Sequence, residues 1–376
     1  MNRSNVLDLP VSVWEEVDFR HTKPVHSLVV ILRTKGCSWW RKGGCNMCSY
    51  SLDASGCDVS GASILNQFRH AIGKRKKASS VKIFTSGSFL DEDEVPYEIQ
   101  KSIFEICGSE HLGITVESRP EYVGLEKLKG LLSAMKKGRL QRTGEDQNTI
   151  NDGGAIIEDT AYMDWLDIEV AFGLESSSDY IRNRCIKKGF LFRDYVQAAG
   201  ICREIGIRVK TYLLLKPPYL NEEESIDDIV NSVVDISSFT DTISINPLNI
   251  QKATLVETLW KKKMLRPPWY YSLFTALIKA KSLDSGREKE ICNSDISTAD
   301  MIKIPILSKP SGGGTPRGIH NCQKCNSRYA DALERYNITQ DTANLIKELN
   351  SPCTCFPEWK CALSSAELVR SPYWQD

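Results

Sequence analysis

The chain has 376 residues, 41% of them hydrophobic, which is enough for one large barrel with a small appendage or for about two or three average domains. Its 48 lysine and arginine residues balance its 48 aspartate and glutamate residues, so a nucleic-acid partner would have to be held by local basic patches or by another subunit. No apolar run approaches the length of a membrane span and the amino terminus lacks the apolar stretch of a signal peptide, which predicts a cytoplasmic protein without membrane contact.

Short apolar, β-branched runs alternate with longer amphipathic stretches, a pattern typical of repeated strand–helix units around a parallel sheet. The predicted strands are Ser27–Leu32, Val81–Thr85, Leu112–Val116, Asp167–Phe172, Arg208–Leu215 and Thr242–Ile245. The predicted helices are Ala62–Lys76, Tyr97–Cys107, Leu125–Met135, Ser178–Ile186, Arg193–Ile205, Glu222–Ser238 and Pro268–Ser282. Six such units are too few for an eight-fold barrel and predict an α/β fold, an open partial (βα)6 barrel.

Two polar segments interrupt this pattern. Residues 138–160 are glycine-rich and aperiodic, which predicts a mobile insertion before the fourth strand. Residues 308–317 resemble a linker or a flexible active-site loop, and a cysteine-rich tail follows from residue 320 to residue 361. The predicted domains are therefore a barrel over residues 1–300, with its core at about 20–285, and a linker with a small zinc-binding region over 301–376.

The loop at residues 33–50, just after the first predicted strand, contains Cys37, Cys45 and Cys48. Three thiolates on a glycine-rich loop can hold three irons of a 4Fe–4S cubane, which leaves the fourth iron open to chelate a small molecule. A zinc knuckle is the alternative, and Cys57 is its only local candidate for a fourth ligand.

Functional side chains of parallel α/β barrels gather at the carboxyl ends of the strands. Each predicted strand here ends in polar or glycine residues, and six consecutive endings of this kind are a less plausible coincidence than any one of them. After the cysteine loop, the candidates in chain order are Ser86, Gly87 and Ser88, Glu117 and Arg119, Glu175, Lys216, and Asn246, Asn249 and Gln251.

Over roughly residues 20 to 285 the sequence resembles the radical S-adenosylmethionine (SAM) superfamily. The stretches Ile114–Tyr122 and Glu169–Ser177 are similar to those that follow the third and fourth strands in the branch with the Elongator-type and tRNA-methylthiolating enzymes. The resemblance implies a 4Fe–4S cluster on Cys37, Cys45 and Cys48, with SAM as the second cofactor. The sequence departs from the superfamily at two points, since seven residues rather than three separate the first two cysteines and Met47 replaces the usual aromatic residue.

The same resemblance implies a set of SAM contacts. The stretch Ser86, Gly87 and Ser88 stands where the superfamily has a glycine-rich segment for the methionine amino group. Glu175 falls where a polar side chain meets SAM, and Lys188 where a basic one reaches its carboxylate. The strand-end residues Glu117 and Arg119 complete the predicted cofactor-binding set.

A narrower resemblance, to the radical SAM subunits of archaeosine synthases, covers almost the whole chain. It is carried by the stretches Leu32–Trp39, Tyr212–Pro218, Asn246–Val256 and Gly313–Cys325. The resemblance implies a lyase that uses a 5′-deoxyadenosyl radical to break a carbon–nitrogen bond of the lysine moiety on a lysine-adducted 7-cyano-7-deazaguanine in tRNA, forming archaeosine. The implied partners are this tRNA, a lysine-transferring transglycosylase-like subunit that would supply phosphate contacts, and an external low-potential electron donor.

The rim residues Lys216, Asn246, Asn249 and Gln251 are the candidates for holding the substrate. Two other functions stay open at this stage. The first is a radical SAM enzyme for another tRNA modification, of the sulfur-insertion or acyl-transfer type. The second is a non-enzymatic, metal-stapled RNA-binding adaptor.

The tail has a cysteine pattern of its own, with a CxxC pair followed by a CxC pair, which strongly indicates a metal site, most simply zinc. The predicted zinc ligands are Cys322, Cys325, Cys353 and Cys355, with Cys361 or His320 as alternates. A second iron–sulfur cluster is the competing interpretation. The isolated cysteines are predicted to be buried as small apolar side chains, namely Cys57, Cys107, Cys185, Cys202 and Cys292.

Overall fold

The structure is a computed structural model that describes residues 6–20, 23–52, 54–143, 166–282 and 304–365. The strands are β1 (Ser12–Arg20), β2 (Lys23–Ile31), β3 (Ser80–Phe84), β4 (Gly113–Ser118), β5 (Ile168–Glu175), β6 (Arg208–Leu215), β7 (Thr242–Pro247) and β8 (Ile306–Leu307). The helices are α1 (Gly61–Ile72), α2 (Tyr97–Ser109), α3 (Leu125–Thr143), α4 (Phe192–Glu204), α5 (Glu222–Ile236), α6 (Leu255–Lys261), α7 (Tyr270–Ser282), α8 (Asn326–Thr339), α9 (Ala343–Asn350) and α10 (Phe356–Ala362). The sheet order follows the chain from β1 to β8.

The six predicted strands correspond to β2–β7, and the strand–helix alternation is as expected, so the predicted α/β fold class is confirmed. The chain divides into two compact units. The first comprises residues 1–43, 50–172 and 194–209, and the second comprises residues 44–49, 173–193 and 210–376. The predicted domain boundary near residue 300 lies outside the described residues and stays a prediction.

In the first unit, β2, β3, β4 and β5 pair in parallel, and β1 pairs antiparallel with β2. Nearly continuous apolar runs form β2–β4 because both faces of a parallel sheet are covered. Strand β1 was not predicted. Its apolar residues Trp14 and Val17 are exposed, whereas its charged residues Asp18 and Arg20 are buried, which inverts the usual pattern.

The buried charges of the first unit are paired across strands. The ammonium of Lys82 on β3 lies 2.7 Å from Glu16 and 3.1 Å from Asp18. Burial lowers the pKa of Lys82, but the attraction of these carboxylates outweighs it and raises the pKa above its ordinary value. Arg20 pairs with Asp167 at 2.7 Å. These pairs allow the charged side chains of Asp18 and Arg20 to be buried.

Helix α3 was predicted to end at Met135 but continues to Thr143. Two glycines allow α2 and α3 to pack closely: a Cβ at Gly108 would collide with the carbonyl of Met135, and one at Gly138 with the carbonyl of Glu105. The glycine content that predicted a loop here instead serves helix packing. Residues 138–143 of the predicted insertion are thus helical, and residues 144–160 lie outside the described residues.

In the second unit, β6, β7 and β8 pair in parallel. Helix α5 begins as its sequence suggests, with the Asn221 side chain accepting the Glu224 amide and the Glu224 carboxylate accepting the Asn221 amide. The predicted helix Ser178–Ile186 is instead a short π-helix, Ile181–Cys185. Within the described residues, no helix combines the length and apolar character needed to cross a membrane.

The tail helices of the second unit pack on α7 through aromatic rings. Tyr271 lies 5.1 Å from Tyr329 of α8, 5.1 Å from Phe356 and 5.4 Å from Trp359, ring centroid to ring centroid. These short aromatic contacts bury the tail against α7. The cysteine-rich region is therefore packed against a barrel helix.

Candidate functional site

In the first unit, Cys37 lies directly against the glycine-rich stretch that follows β3. A Cβ placed on Gly87 would lie 2.6 Å from the Cα of Cys37 and 2.9 Å from its Cβ. No side chain fits at such distances, so residue 87 has to be glycine for the two loops to touch. The structure thus brings together a predicted cluster ligand and the predicted SAM-binding segment.

Glu94 joins the same two loops from behind. The Thr34 hydroxyl donates to Glu94 Oε1 at 2.5 Å, and the Ser88 amide donates to Glu94 Oε2 at 2.6 Å. The side chain is buried, and burial raises its pKa above the ordinary carboxyl value. Glu94 escaped the sequence analysis because it ends an acidic run, 91–94, of a kind typical of exposed loops.

The residues that end β4 are bonded to the same stretch. The Arg119 amide donates to the Ser88 hydroxyl at 3.1 Å, and the Arg119 guanidinium lies 4.9 Å from the ring centroid of Trp39. The carbonyl of Glu117 accepts the Phe89 amide at 2.8 Å. The predicted contacts at the ends of β3 and β4 therefore form one hydrogen-bonded group in the first unit.

The turn with the other two cluster cysteines belongs to the second unit and is held at two points. Asn46 donates from its backbone amide to the carbonyl of Ile186 at 2.8 Å and from its side-chain amide to the carbonyl of Cys185 at 2.9 Å. The Ser49 amide donates to the Gln251 side chain at 2.6 Å. Gln251, predicted to hold substrate, thus contacts the cysteine turn.

Cys45 and Met47 pack on a buried apolar cluster of the second unit. The cluster consists of Ile186, Leu214, Leu248, Ile250, Val256, Leu259 and Leu265. Methionine is a flexible, polarizable side chain that fills irregular apolar space, which accounts for its place where the superfamily has an aromatic residue. Cys37, Cys45 and Cys48 are all half-buried.

Glu175 and Lys188, both predicted SAM contacts, form an ion pair with 2.7 Å between Oε1 and Nζ. Glu175 ends β5 with a φ of 70°, a left-handed conformation that costs energy for a residue with a Cβ. A Cβ on Gly173 would lie 2.8 Å from Lys188 Nζ, so a glycine makes room for the pair. The result is one carboxylate and one ammonium side by side at the end of a strand.

Lys216 also has a left-handed backbone, with a φ of 62°, but its side chain is only 1% exposed. Its ammonium lies 2.6 Å from Glu222, which is 0% exposed and also accepts the Ser272 hydroxyl. The structure therefore places this predicted substrate contact in a buried ion pair.

The other candidates for substrate contact, Asn246 and Asn249, are half-buried at the end of β7. Arg317 of the segment 308–317 packs on the same loop. It donates to the carbonyl of Ile250 at 2.9 Å and pairs with Glu257 at 2.5 Å. The hydrogen bond from Arg317 is the main reason why the pKa of Glu257 falls to about 2. Arg317 thus docks this segment beside the loop after β7.

The four predicted tail ligands converge. The sulfurs of Cys322, Cys325, Cys353 and Cys355 all lie within 4.8 Å of one another. The separations are 3.5 Å from Cys322 to Cys325, 3.7 Å from Cys322 to Cys353 and 3.8 Å from Cys325 to Cys355. The alternates are not part of this group: Cys361 is exposed, and His320 Nδ1 bonds to the carbonyl of Gly318 at 2.8 Å.

Tyr271 of α7 connects this group of sulfurs to the barrel helices of the second unit. Its hydroxyl accepts the Cys353 amide at 3.2 Å and lies 3.5 Å from the sulfur of Cys355. A hydrogen bond from the Cys355 amide is the largest of the causes that lower the pKa of Cys353 to about 6. The group is thus held by backbone amides and by a tyrosine, as metal ligands are held by their surroundings.

Among the isolated cysteines, Cys107, Cys185 and Cys202 are buried as predicted. Cys57 is exposed, so its predicted burial was wrong. It lies in a turn in which the Ser55 hydroxyl bonds to the Cys57 carbonyl. Cys292 lies outside the described residues.

Comparison with known proteins finds close relatives by sequence, although no protein-family model matches. The chain is 36% identical to the archaeosine synthase subunit beta of Methanosarcina acetivorans over 364 residues, covering 96% of this chain and 91% of the relative. It is 35% identical to the protein of the same name from Thermococcus kodakarensis, with 91% and 94% covered.

Among solved structures, Elp3 of Methanocaldococcus infernus matches with a TM-score of 0.44 and 14% identity, over 72% of this chain and 59% of that chain. SuiB of Streptococcus suis bound to S-adenosylmethionine matches with a TM-score of 0.42 and 12% identity, over 93% and 76%. The sequence relatives, rather than these distant structures, decide the family.

Proposed function

The chain belongs to the archaeosine synthase subunit beta family, and on that premise we propose that it is a radical SAM lyase of tRNA modification. The reaction we propose is cleavage of a carbon–nitrogen bond in the lysine moiety of a lysine-adducted 7-cyano-7-deazaguanine in tRNA, which leaves archaeosine. The observation that carries the proposal is the partial exposure of the three cysteines Cys37, Cys45 and Cys48 on one loop. They are half-buried, whereas the isolated Cys107, Cys185 and Cys202 are buried in the core.

We assign the 4Fe–4S cluster to Cys37, Cys45 and Cys48. The donor set suits it, because three thiolates leave one iron of a cubane without a protein ligand. The close approach of Gly87 to Cys37 supports the assignment, since it keeps side chains away from one face of that residue. When bound, a reduced cluster of this type supplies the electron that cleaves SAM to a 5′-deoxyadenosyl radical.

Glu175 and Lys188 are suited to the methionine end of SAM. That end carries one ammonium and one carboxylate, and the protein presents one carboxylate and one ammonium 2.7 Å apart. Exchange of this internal ion pair for two ligand pairs keeps every charge matched in a partly buried place. Ser86, Gly87, Ser88, Glu117 and Arg119 are the further proposed SAM contacts.

For the substrate, we propose direct contacts from the half-buried Asn246 and Asn249 at the end of β7. Lys216 and Gln251 would act indirectly, because Lys216 is ion-paired with Glu222 and Gln251 accepts the Ser49 amide. These residues bind and orient the lysine moiety. Holding a reacting carbon in place and excluding water are what the protein contributes to radical chemistry.

We propose that the tail group binds one zinc ion. A tetrahedral ion with Zn–S bonds of about 2.3 Å places its sulfurs ~3.8 Å apart. Three of the sulfur–sulfur separations, at 3.5, 3.7 and 3.8 Å, agree with that value, and all of them lie within 4.8 Å. A cubane would bind each thiolate to a different iron and so needs wider spacing, which disfavours a second iron–sulfur cluster here.

The proposed partners are the lysine-adducted tRNA, the lysine-transferring transglycosylase-like subunit and an external low-potential electron donor, all in the cytoplasm. The zero net charge supports a partner subunit. Affinity for tRNA depends largely on phosphate contacts, and a second protein would supply the positive charge that this chain lacks overall.

The test is anaerobic incubation of the protein with dithionite, SAM and lysine-adducted tRNA, followed by mass analysis of nucleosides. We expect archaeosine and 5′-deoxyadenosine to form together. Persistence of the adduct while SAM is cleaved would indicate a different radical SAM tRNA modification. Absence of 5′-deoxyadenosine from protein that contains iron would indicate the non-enzymatic adaptor.

A further inference from the structure

We infer that Asn46 is a positioning residue that holds the Cys45–Cys48 turn in register with the Glu175–Lys188 pair. The inference rests on the proposed function, because it concerns how the cluster ligands and the SAM contacts are kept together. It assigns no direct contact with SAM or the reacting atoms to Asn46.

Asn46 makes a pair of hydrogen bonds to the segment that precedes Lys188. Its backbone amide and its side-chain amide donate to two consecutive carbonyls, those of Ile186 and Cys185, at 2.8 and 2.9 Å. Ile186 and Cys185 are themselves buried. Two hydrogen bonds to consecutive carbonyls fix both the distance and the orientation of one segment relative to the other.

The segment to which Asn46 donates is the end of a π-helix. Cys185 is the last residue of the π-helix Ile181–Cys185, a rare element that occurs frequently at functional sites. The buried guanidinium of Arg182 stabilises this turn by donating to the carbonyl of Ser176 at 2.7 Å and to that of Phe190 at 3.0 Å. The turn is therefore held together by its own hydrogen bonds.

The π-helix leads directly to Lys188, a proposed SAM contact. Lys188 lies two residues beyond Ile186, and its amide donates to the Arg182 carbonyl at 3.0 Å. Its ammonium meets Glu175 at 2.7 Å. The hydrogen bonds from Asn46 to Cys185 and Ile186 thus fix the cysteine turn to the segment that carries Lys188.

Other contacts also hold the cysteine turn in place. The Ser49 amide bonds independently to Gln251, and Cys45 and Met47 pack on the apolar cluster of the second unit. None of these contacts involves the Asn46 side chain. We therefore expect loss of Asn46 to impair the alignment of SAM with the cluster more than the loading of the cluster.

The experiment compares the wild-type enzyme with Asn46→Ala and Asn46→Ser. A serine retains a short donor toward the Cys185 carbonyl, so it should restore part of the function. Asn66→Ala is the matched control, because Asn66 is an asparagine on α1 whose side chain donates to Asp8. The measurements are iron per chain, the electron paramagnetic resonance spectrum of the reduced cluster with and without SAM, and KM and kcat for 5′-deoxyadenosine formation.

We expect Asn46→Ala to keep its iron, to raise KM for SAM about tenfold, as loss of a hydrogen bond worth about 1.4 kcal/mol would, and to weaken the SAM-induced spectral change. Asn46→Ser should lie between Asn46→Ala and wild type, and Asn66→Ala should match wild type. If Asn46→Ala fails to fold or to load iron, the KM and spectrum of Asn46→Ser decide.

Two results would overturn the inference while leaving the proposed function intact. One is wild-type KM and a wild-type spectral response to SAM in both Asn46 variants. The other is loss of iron with an unchanged KM for SAM in the fraction of protein that keeps its cluster. That result would show that Asn46 supports cluster loading alone. Failure of the iron-loaded wild-type protein to cleave SAM would instead reject the proposed function, and the inference with it.

Discussion

The two cysteine groups of this chain are held in opposite ways. The tail group is defined by its own ligands, since four sulfurs lie within 4.8 Å of one another. Each cysteine of the early loop is instead positioned by its neighbours, Cys37 by Gly87 and the Cys45–Cys48 turn by Asn46 and Gln251. A structural metal needs a closed ligand set, whereas a reactive one needs an open position that the surrounding residues maintain.

The largest expected effect comes from Cys45→Ala, which should break the early group and leave the tail group intact. One iron of the proposed cubane would lose its thiolate, so we expect loss of the cluster and a fall of more than about 1,000-fold in 5′-deoxyadenosine formation. Iron and zinc analysis with an activity assay measures this. Retained iron together with lost zinc would reverse the two assignments.

Cys322→Ala should do the opposite. Removal of one ligand of the proposed zinc site should lower the free energy of unfolding by about 5 kcal/mol, because the binding energy of a structural metal is folding energy. Iron per chain should stay unchanged, and Cys361→Ala is the control because Cys361 is exposed. Denaturant unfolding and metal analysis test this, and loss of the iron chromophore in Cys322→Ala would contradict it.

Glu222→Gln tests how much the buried contacts between the end of β6 and the tail contribute to stability. Glu222 pairs with Lys216 and accepts the Ser272 hydroxyl, and Ser272 in turn accepts the indole N–H of Trp359 at 2.8 Å. Removal of one partner from a buried ion pair should cost about 3 kcal/mol of stability.

The control for this variant is Glu223→Gln, which changes an exposed carboxylate on the same helical turn and should have little effect. Equal stability of the two variants in denaturant unfolding would show that the charge of Glu222 is not buried in solution.

The smallest expected effect is a pH dependence of the folding stability that arises from Asp228, which bonds to Ser176, the residue after Glu175. Burial raises the pKa of Asp228 to about 6, and the Ser176 hydroxyl donates to this carboxyl group at 2.7 Å. Between about pH 4 and pH 6 the unfolded chain loses this proton while the folded protein keeps it, so the stability of the folded protein falls as pH rises.

Asp228→Asn removes that titration. We expect the stability of this variant relative to wild type to improve by roughly 2 kcal/mol from pH 4.5 to pH 7, measured by denaturant unfolding. Asp227→Asn, a change at an exposed carboxylate of the same helix, should show no comparable slope. A pH-independent difference between Asp228→Asn and wild type would contradict the raised pKa.

The features predicted well from the sequence are those set by local pattern. Apolar runs located β2–β7, and the CxxC and CxC spacings identified the four tail cysteines that the structure brings together. Short spacing in sequence constrains such residues directly. Strand β1 was missed because its buried side chains include Asp18 and Arg20, which read as exposed positions.

The residues that escaped prediction have partners far away in the chain. Asn46 bonds to a residue 139 positions later, and Glu94 bonds to one 60 positions earlier. Lys216 is a different case, because its partner Glu222 is only six residues away, yet the burial of the pair was not visible from its position after a strand. Such contacts depend on the folded arrangement of strands, which residue type and spacing alone do not specify.

The most direct test of an open iron on the early loop is metal and sulfide analysis of anaerobically purified protein, combined with electron paramagnetic resonance after reduction. We predict four irons, four sulfides and one zinc per chain, with a cluster spectrum that changes when SAM is added. Zinc at both cysteine groups, or a cluster spectrum that SAM leaves unchanged, would contradict the account.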